Sequence, residues 1–126
     1  MKRSRFGFGL LLFLLVLGAA SALWMVKVME PMSDAMEQAG NAALRQDWTR
    51  AEAAFGDVRQ DWDRRFPLFA ALTDHEPMEN INGLFAQLEV YSACRDPQGF
   101  AALCAQLARD LEAMGEAHSL TWWNVF

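Results

Sequence analysis

Residues 48–69, WTRAEAAFGDVRQDWDRRFPLF, carry an aromatic side chain at every seventh position: Trp48, Phe55, Trp62 and Phe69. Ala51, Val58 and Leu72 occupy the intervening d-like positions, and Arg65 interrupts that second row. Seven-residue spacing returns a helical chain to the same face, so these side chains form one apolar seam suited to packing against neighbouring helices. Pro67 lies inside the stretch. It lacks an N–H and its ring crowds the preceding turn, so a kink or split is expected, with the bend near Asp63–Phe66.

The flanking segments read as helices too. Pro31 followed by Met32, Ser33 and Asp34 suits a helix start, since proline is tolerated in a first turn. That helix is predicted to run to about Arg45, burying Met32, Met36, Ala39, Ala43 and finally Leu44, with Gly40 weakening it a little. Asp47 is placed to cap the helix that carries the seam. After Asp74-His75-Glu76-Pro77, a third helix from about Pro77 to Cys94 puts Met78, Ile81, Leu84, Phe85, Leu88 and Tyr91 on one face. Asp96 and Pro97 then supply an N-cap and a first helical position. The last helix presents Phe100, Leu103, Leu107, Leu111 and Met114, with Gly115 as its expected stop.

Residues 41–58 look like half of a tetratricopeptide repeat, but the pattern does not recur around Arg95-Asp96-Pro97 at the usual 34-residue period. The two hairpins are therefore expected to share a geometry without forming a repeat array.

The chain has 126 residues and is 53% hydrophobic, unevenly so. Phe6–Val26 holds 17 apolar residues in 21 positions and no charge. As a helix it is about 32 Å long, which matches a hydrocarbon core of about 30 Å. Lys2, Arg3 and Arg5 precede this run and Lys27 follows it. The positive-inside rule then puts the amino terminus in the cytoplasm and the rest outside, with Trp24 near the far interface. Ala20-Ser21-Ala22 has the form of a signal-peptide cleavage site, but Leu23-Trp24-Met25-Val26 prolongs the run past it with no polar break. An uncleaved anchor is favoured over cleavage, and either route exports the domain.

The expected organisation is a basic cytoplasmic end at residues 1–5, a transmembrane anchor at 6–26, a helical extracytoplasmic domain at 27–117 and an aromatic tail at 118–126. The fold class is all-α: an N-terminal transmembrane helix followed by a small bundle of two αα-hairpins, about four helices, the second kinked at Pro67.

Val28–Phe126 carries 7 basic and 16 acidic residues, net −9 with histidine neutral. Such a surface is unsuited to nucleic acid, where Lys and Arg must displace counterions. Two cysteines, Cys94 and Cys104, cannot build a disulfide framework or a four-thiolate zinc site. Their unequal distances from the turn at Asp96 leave them about 9 Å out of step, so two buried free thiols are expected. The charges around Trp62, from Asp57 to Arg65, read as a solvated helix face.

His75 with Glu79 would share a helix face, but a third ligand is missing, and His75 is read as ending one helix or capping the next. No phosphate loop or nucleophile elbow is present, and no catalytic residue, cofactor or metal is expected. The candidate cleft, between the hairpins, draws on Trp48, Trp62, His75 and Tyr91. The tail offers Trp122, Trp123 and Phe126 as a candidate interaction surface. Packing back onto the bundle is the favoured fate of this tail, ahead of contact with the bilayer interface or a partner.

Asp47-Trp48-x-x-Ala51, Trp62, His75, Ile81-Asn82, Asp96 and Asn124-Val125-Phe126 together resemble a bacterial family known only as domain of unknown function 4363. Its members are small proteins with one N-terminal transmembrane helix. The resemblance covers roughly Met29–Phe126 and departs at Asn82, where members more typically carry aspartate. It implies no reaction and no catalytic residue. Its association with genes for other small integral membrane proteins implies a membrane partner, and the apolar run with its flanking charges places the protein in the bacterial cytoplasmic membrane as a single-pass protein.

The expected function is a membrane-anchored structural or protein-interaction module, held in the bilayer through residues 6–26 and acting with another membrane protein. Self-association is compatible with the pattern. The alternative is a helical module binding a small ligand in the cleft, secreted if the signal is cleaved. An enzyme using His75 is the least favoured reading.

Overall fold

A computed structural model describes the backbone of residues 2–125 and the side chains of residues 2–117. Four helices follow one another: α1 (Lys2–Leu44), α2 (Trp48–Leu72), α3 (His75–Ala93) and α4 (Pro97–Val125). No strand occurs among the described residues, and the all-α bundle of two hairpins stands.

The apolar N-terminal segment and the first bundle helix are a single rod. The helix start expected at Pro31 does not exist, because α1 passes through it without interruption. An internal proline costs a helix about 3 kcal/mol through its missing N–H and its clash with the preceding turn. What offsets this is burial on both sides of the break: Met25, Met29, Met32 and Met36 are all at most 4% exposed. Unbranched thioether side chains adapt to the shape of such a seam. Leu44, expected inside, is exposed, while Ala42 takes a buried place.

The opposite correction applies at Gly115. It was expected to end α4, yet the helix continues to Val125. Gly115 instead faces α1, where an added Cβ would sit 3.5 Å from Met29 Cβ and 3.6 Å from Val26 Cα. At Gly40 the approach is tighter, with Cys104 Cβ at 3.1 Å and Ala101 Cα at 3.4 Å from such a Cβ. Between these points the Ser33 hydroxyl donates to the Ala108 carbonyl at 3.0 Å. The three contacts fix an antiparallel register in which α4 runs back along α1.

Side-chain size makes the bundle lopsided. Gly40, Ala39, Ala43 and Ala108 let α1 and α4 come close. Between α2 and α3 the space is filled by rings: Trp62 lies 6.0 Å from Phe85 and 5.2 Å from Phe69, and Phe55 lies 6.0 Å from both Phe85 and Phe100. The seam read from the sequence is therefore the core, with Ala51, Phe55, Val58, Trp62 and Phe69 buried. Trp48 is half-buried and Leu72 lies at the surface. α2 also runs past Pro67 as one helix, so the proline does not split it.

The two turns at the far end of the bundle are built alike. Gln46 and Arg95 both adopt the left-handed conformation, at φ 63° and 54°. Asp47 and Asp96 then return their N–H groups to the carbonyls of Ala42 and Tyr91. This is the Schellman closure. Each aspartate next caps the following helix, Asp47 accepting from Arg50 N–H at 3.2 Å and Asp96 from Gly99 N–H at 3.1 Å. Shared hairpin chemistry, not sequence repetition, explains the likeness of the two units.

Candidate functional site

The four residues expected to line one cleft are spread over the molecule. Trp62 is fully buried in the core, where its indole N–H donates to Asn82 Oδ1 at 2.7 Å. Trp48 packs at the turn end, its ring 5.4 Å from Phe100 and nearly perpendicular to it, with the Arg95 guanidinium 5.2 Å above the ring centre. Tyr91 belongs to the same end and lies against Gly99, whose missing Cβ would fall 2.5 Å from the phenol ring. His75 opens α3 at the other end of the bundle and is exposed. Sixteen residues of helix, about 24 Å, separate it from Tyr91. Trp48 and Tyr91 thus share a neighbourhood, while Trp62 and His75 do not join them. The seven-residue pattern that marks a residue as core is the same pattern that makes it look like a cleft lining.

A cavity of about 370 Å³ opens elsewhere, between the start of α3 and α4. Asp74, Glu76 and Asp110 supply carboxylates, Asn80 an amide, and Ile81 and Met114 apolar surface. The sequence had marked Asp74 and Glu76 only as helix punctuation; Asp110 joins them through the hairpin. This lining favours cationic or neutral groups over anions. Among the described residues, no three His, Cys, Asp or Glu side chains are grouped to hold a metal ion.

Both cysteines are free. Cys104 is buried as expected, and burial pushes its thiol up to about 12. Cys94, expected inside, is exposed, because as the residue that caps the end of α3 it lies beyond the buried face that ends near Leu88.

The charged stretch around Trp62 is a surface network. Arg59 bonds Glu89 of α3 at 2.9 Å, lies 3.7 Å from Asp63 and stands 5.3 Å above the Phe85 ring. Arg64 pairs with Asp61. Arg95 reaches Glu52 at 2.8 Å, so two arginines clasp α2 and α3 from outside. Such exposed pairs contribute roughly 0–1 kcal/mol each and serve mainly to orient the helices.

The other notable surface is apolar. α1 is exposed from Lys2 to Leu17, Leu15 excepted, and burial begins at Gly18. Phe6, Phe8 and Phe13 are each more than 60% exposed. By length and composition this helix can cross a membrane. The tail residues Trp122, Trp123 and Phe126, expected to form an interaction surface, fall outside the described side chains.

Neither a curated protein nor a solved structure matches the chain. A family does. Its match covers residues 21–125, beginning inside the last apolar turns of α1 and taking in the whole bundle. The chain belongs to the family described as Domain of unknown function (DUF4363).

Proposed function

We propose that this protein is a non-enzymatic, membrane-anchored interaction module whose helical domain faces out of the cytoplasm and acts with another membrane protein. One observation carries the reading: α1 is bare and apolar at one end, core-forming at the other, and continuous between. Such a helix couples the bundle to the membrane without a linker. Gly18 and Ala22 are buried on that same helix, which supports retention of the segment, because cleavage after Ala22 would remove packed residues. The basic residues Lys2, Arg3 and Arg5 favour a cytoplasmic amino terminus. The scattered positions of Trp48, Trp62, His75 and Tyr91 support an interaction role over a shared ligand cleft.

Cys94 provides a native topology probe, being exposed on the domain while Cys104 is buried. A membrane-impermeant maleimide should label Cys94 in intact cells; labelling only after permeabilisation would overturn the outward orientation. Crosslinking of the full-length protein in membranes should yield a discrete adduct with an integral membrane protein, lost when the chain is truncated after His118. Crosslinks that survive truncation unchanged would remove the tail from the proposed contact. The absence of any discrete adduct from the full-length protein would count against the module itself.

A further inference from the structure

The uncovered part of α1 is too short for the task its composition suggests. From Phe6 to Leu17 there are 12 apolar or glycine positions, about 18 Å of helix, against a hydrocarbon core of about 30 Å. Counting from Lys2, with basic side chains stretched toward the headgroups, gives about 24 Å. The missing length lies in the next turns, Gly18–Met25, where Gly18, Ala22 and Met25 are already buried within the bundle. A bilayer wide enough to be spanned by α1 therefore has to reach the level at which the bundle begins.

What the bundle presents at that level is suited to lipid. The Trp24 ring lies 6.0 Å from the ring of Phe69, which sets the last turns of α2 beside the end of the apolar segment. From Phe66 to Thr73 α2 and its cap carry no charge, whereas the nine residues before them, Asp57–Arg65, include six charged ones. Leu68 and Leu72 stand on either side of Phe69 in sequence and are 55% and 37% exposed. α4 returns toward the same end and has no charged residue after Glu116. Asp74 and Glu76, next along the chain, limit the depth of this corner to the headgroup layer, since carboxylates resist entry into hydrocarbon.

Resting on the membrane-anchor reading above, we propose that the base of the bundle, at Leu68 and Leu72, sits in the outer interfacial layer of the bilayer and touches lipid directly. The domain is then seated in the membrane surface, not carried above it on a stalk. The occupant is lipid because the patch continues the apolar surface of α1 and lies where the bare helix runs short of the hydrocarbon width.

The test uses nitroxide labels on the full-length protein with Cys94→Ser and Cys104→Ala, reconstituted in phosphatidylethanolamine–phosphatidylglycerol vesicles. Single cysteines are introduced as Leu12→Cys, Leu68→Cys, Leu72→Cys and Val90→Cys. Accessibility to oxygen, which concentrates in lipid, is compared with accessibility to a water-soluble nickel chelate. The expected result is a several-fold higher oxygen-to-nickel ratio at 68 and 72 than at 90, with 12 highest. If 12 reports lipid while 68 and 72 match 90, this inference fails and the anchor stands. If 12 also reports water, the anchor fails and this inference with it. Labels at 68 and 72 that are immobile and shielded from both reagents would mean that protein, a partner or a second copy, covers the patch, which also overturns the proposal.

Discussion

The indole N–H of Trp62 and the side-chain oxygen of Asn82 meet at 2.7 Å, joining α2 to α3 through the centre of the ring cluster. Trp62 is fully buried and so depends on this acceptor, while Asn82 comes in from an exposed position. Replacing Asn82 with Leu should cost about 1–3 kcal/mol, the penalty for stranding a buried donor. Asn82→Asp keeps an acceptor and should stay within about 1 kcal/mol of wild type near neutral pH. Urea unfolding of the detergent-solubilised protein measures both. Equal destabilisation by the two variants would show that the hydrogen bond is not what the position provides.

Glycines at different depths should respond in opposite directions to alanine. Gly83 is exposed on α3 and an added Cβ meets nothing within 4 Å. Gly83→Ala should stabilise by about 1 kcal/mol through helix propensity alone. At Gly40 the new methyl would press on Cys104 Cβ and the Ala101 backbone, so Gly40→Ala should destabilise by about 1–3 kcal/mol as the helices are forced apart. Thermal melts of the two variants, compared with wild type, should move apart.

The thiols should differ in both reactivity and linkage. Cys94 should react with maleimide in the native protein, and Cys104 only after unfolding. Because burial raises the Cys104 pKa from 9.0 to about 12, the folded state holds its proton more tightly than the unfolded state. Its contribution is complete below pH 9 and declines as pH rises toward 12. At pH 10 the loss is about 1.4 kcal/mol. Cys104→Ala should show a shallower loss of stability between pH 8.5 and 10 than wild type; parallel curves would refute the linkage.

Pro31 is an internal defect that the fold tolerates. Pro31→Ala supplies the missing N–H to the Lys27 carbonyl and relieves the ring clash, and Pro31 itself is exposed. Stabilisation of about 1–3 kcal/mol is expected in denaturant unfolding. No gain would mean that the helix has already bent to relieve the strain.

The elements were legible in the sequence because each had a local cause. Aspartates 47 and 96 cap helices, and the seam at Ala51, Phe55, Val58, Trp62 and Phe69 is buried because period and hydrophobicity agree there. Pro31 and Gly115 were misread for the converse reason. Each is a local breaker whose cost is outweighed by contacts between residues some 80 positions apart, such as Met29 with Gly115. Leu72 fits the seam by spacing yet is exposed, since the core ends one turn earlier at Phe69. The cavity beside Asp74 and Asp110 could not be foreseen, because it exists only once α3 and α4 are paired. Trp48, Trp62, His75 and Tyr91 were grouped by residue type, and type alone carries no information on which end of a bundle a residue occupies.

At 1.5 Å per residue the 43 residues of α1 make a shaft about 64 Å long. Ser33 and the close approaches at Gly40 and Gly115 key α4 to that shaft at three heights. Rotation or piston movement imposed on the bare end has little slack to be lost in, apart from the one rung missing at Pro31. A torque applied to the bare end of α1 would arrive as a turn of the whole bundle, including its arginine-clasped face of α2 and α3, and not as a bend between two separate pieces.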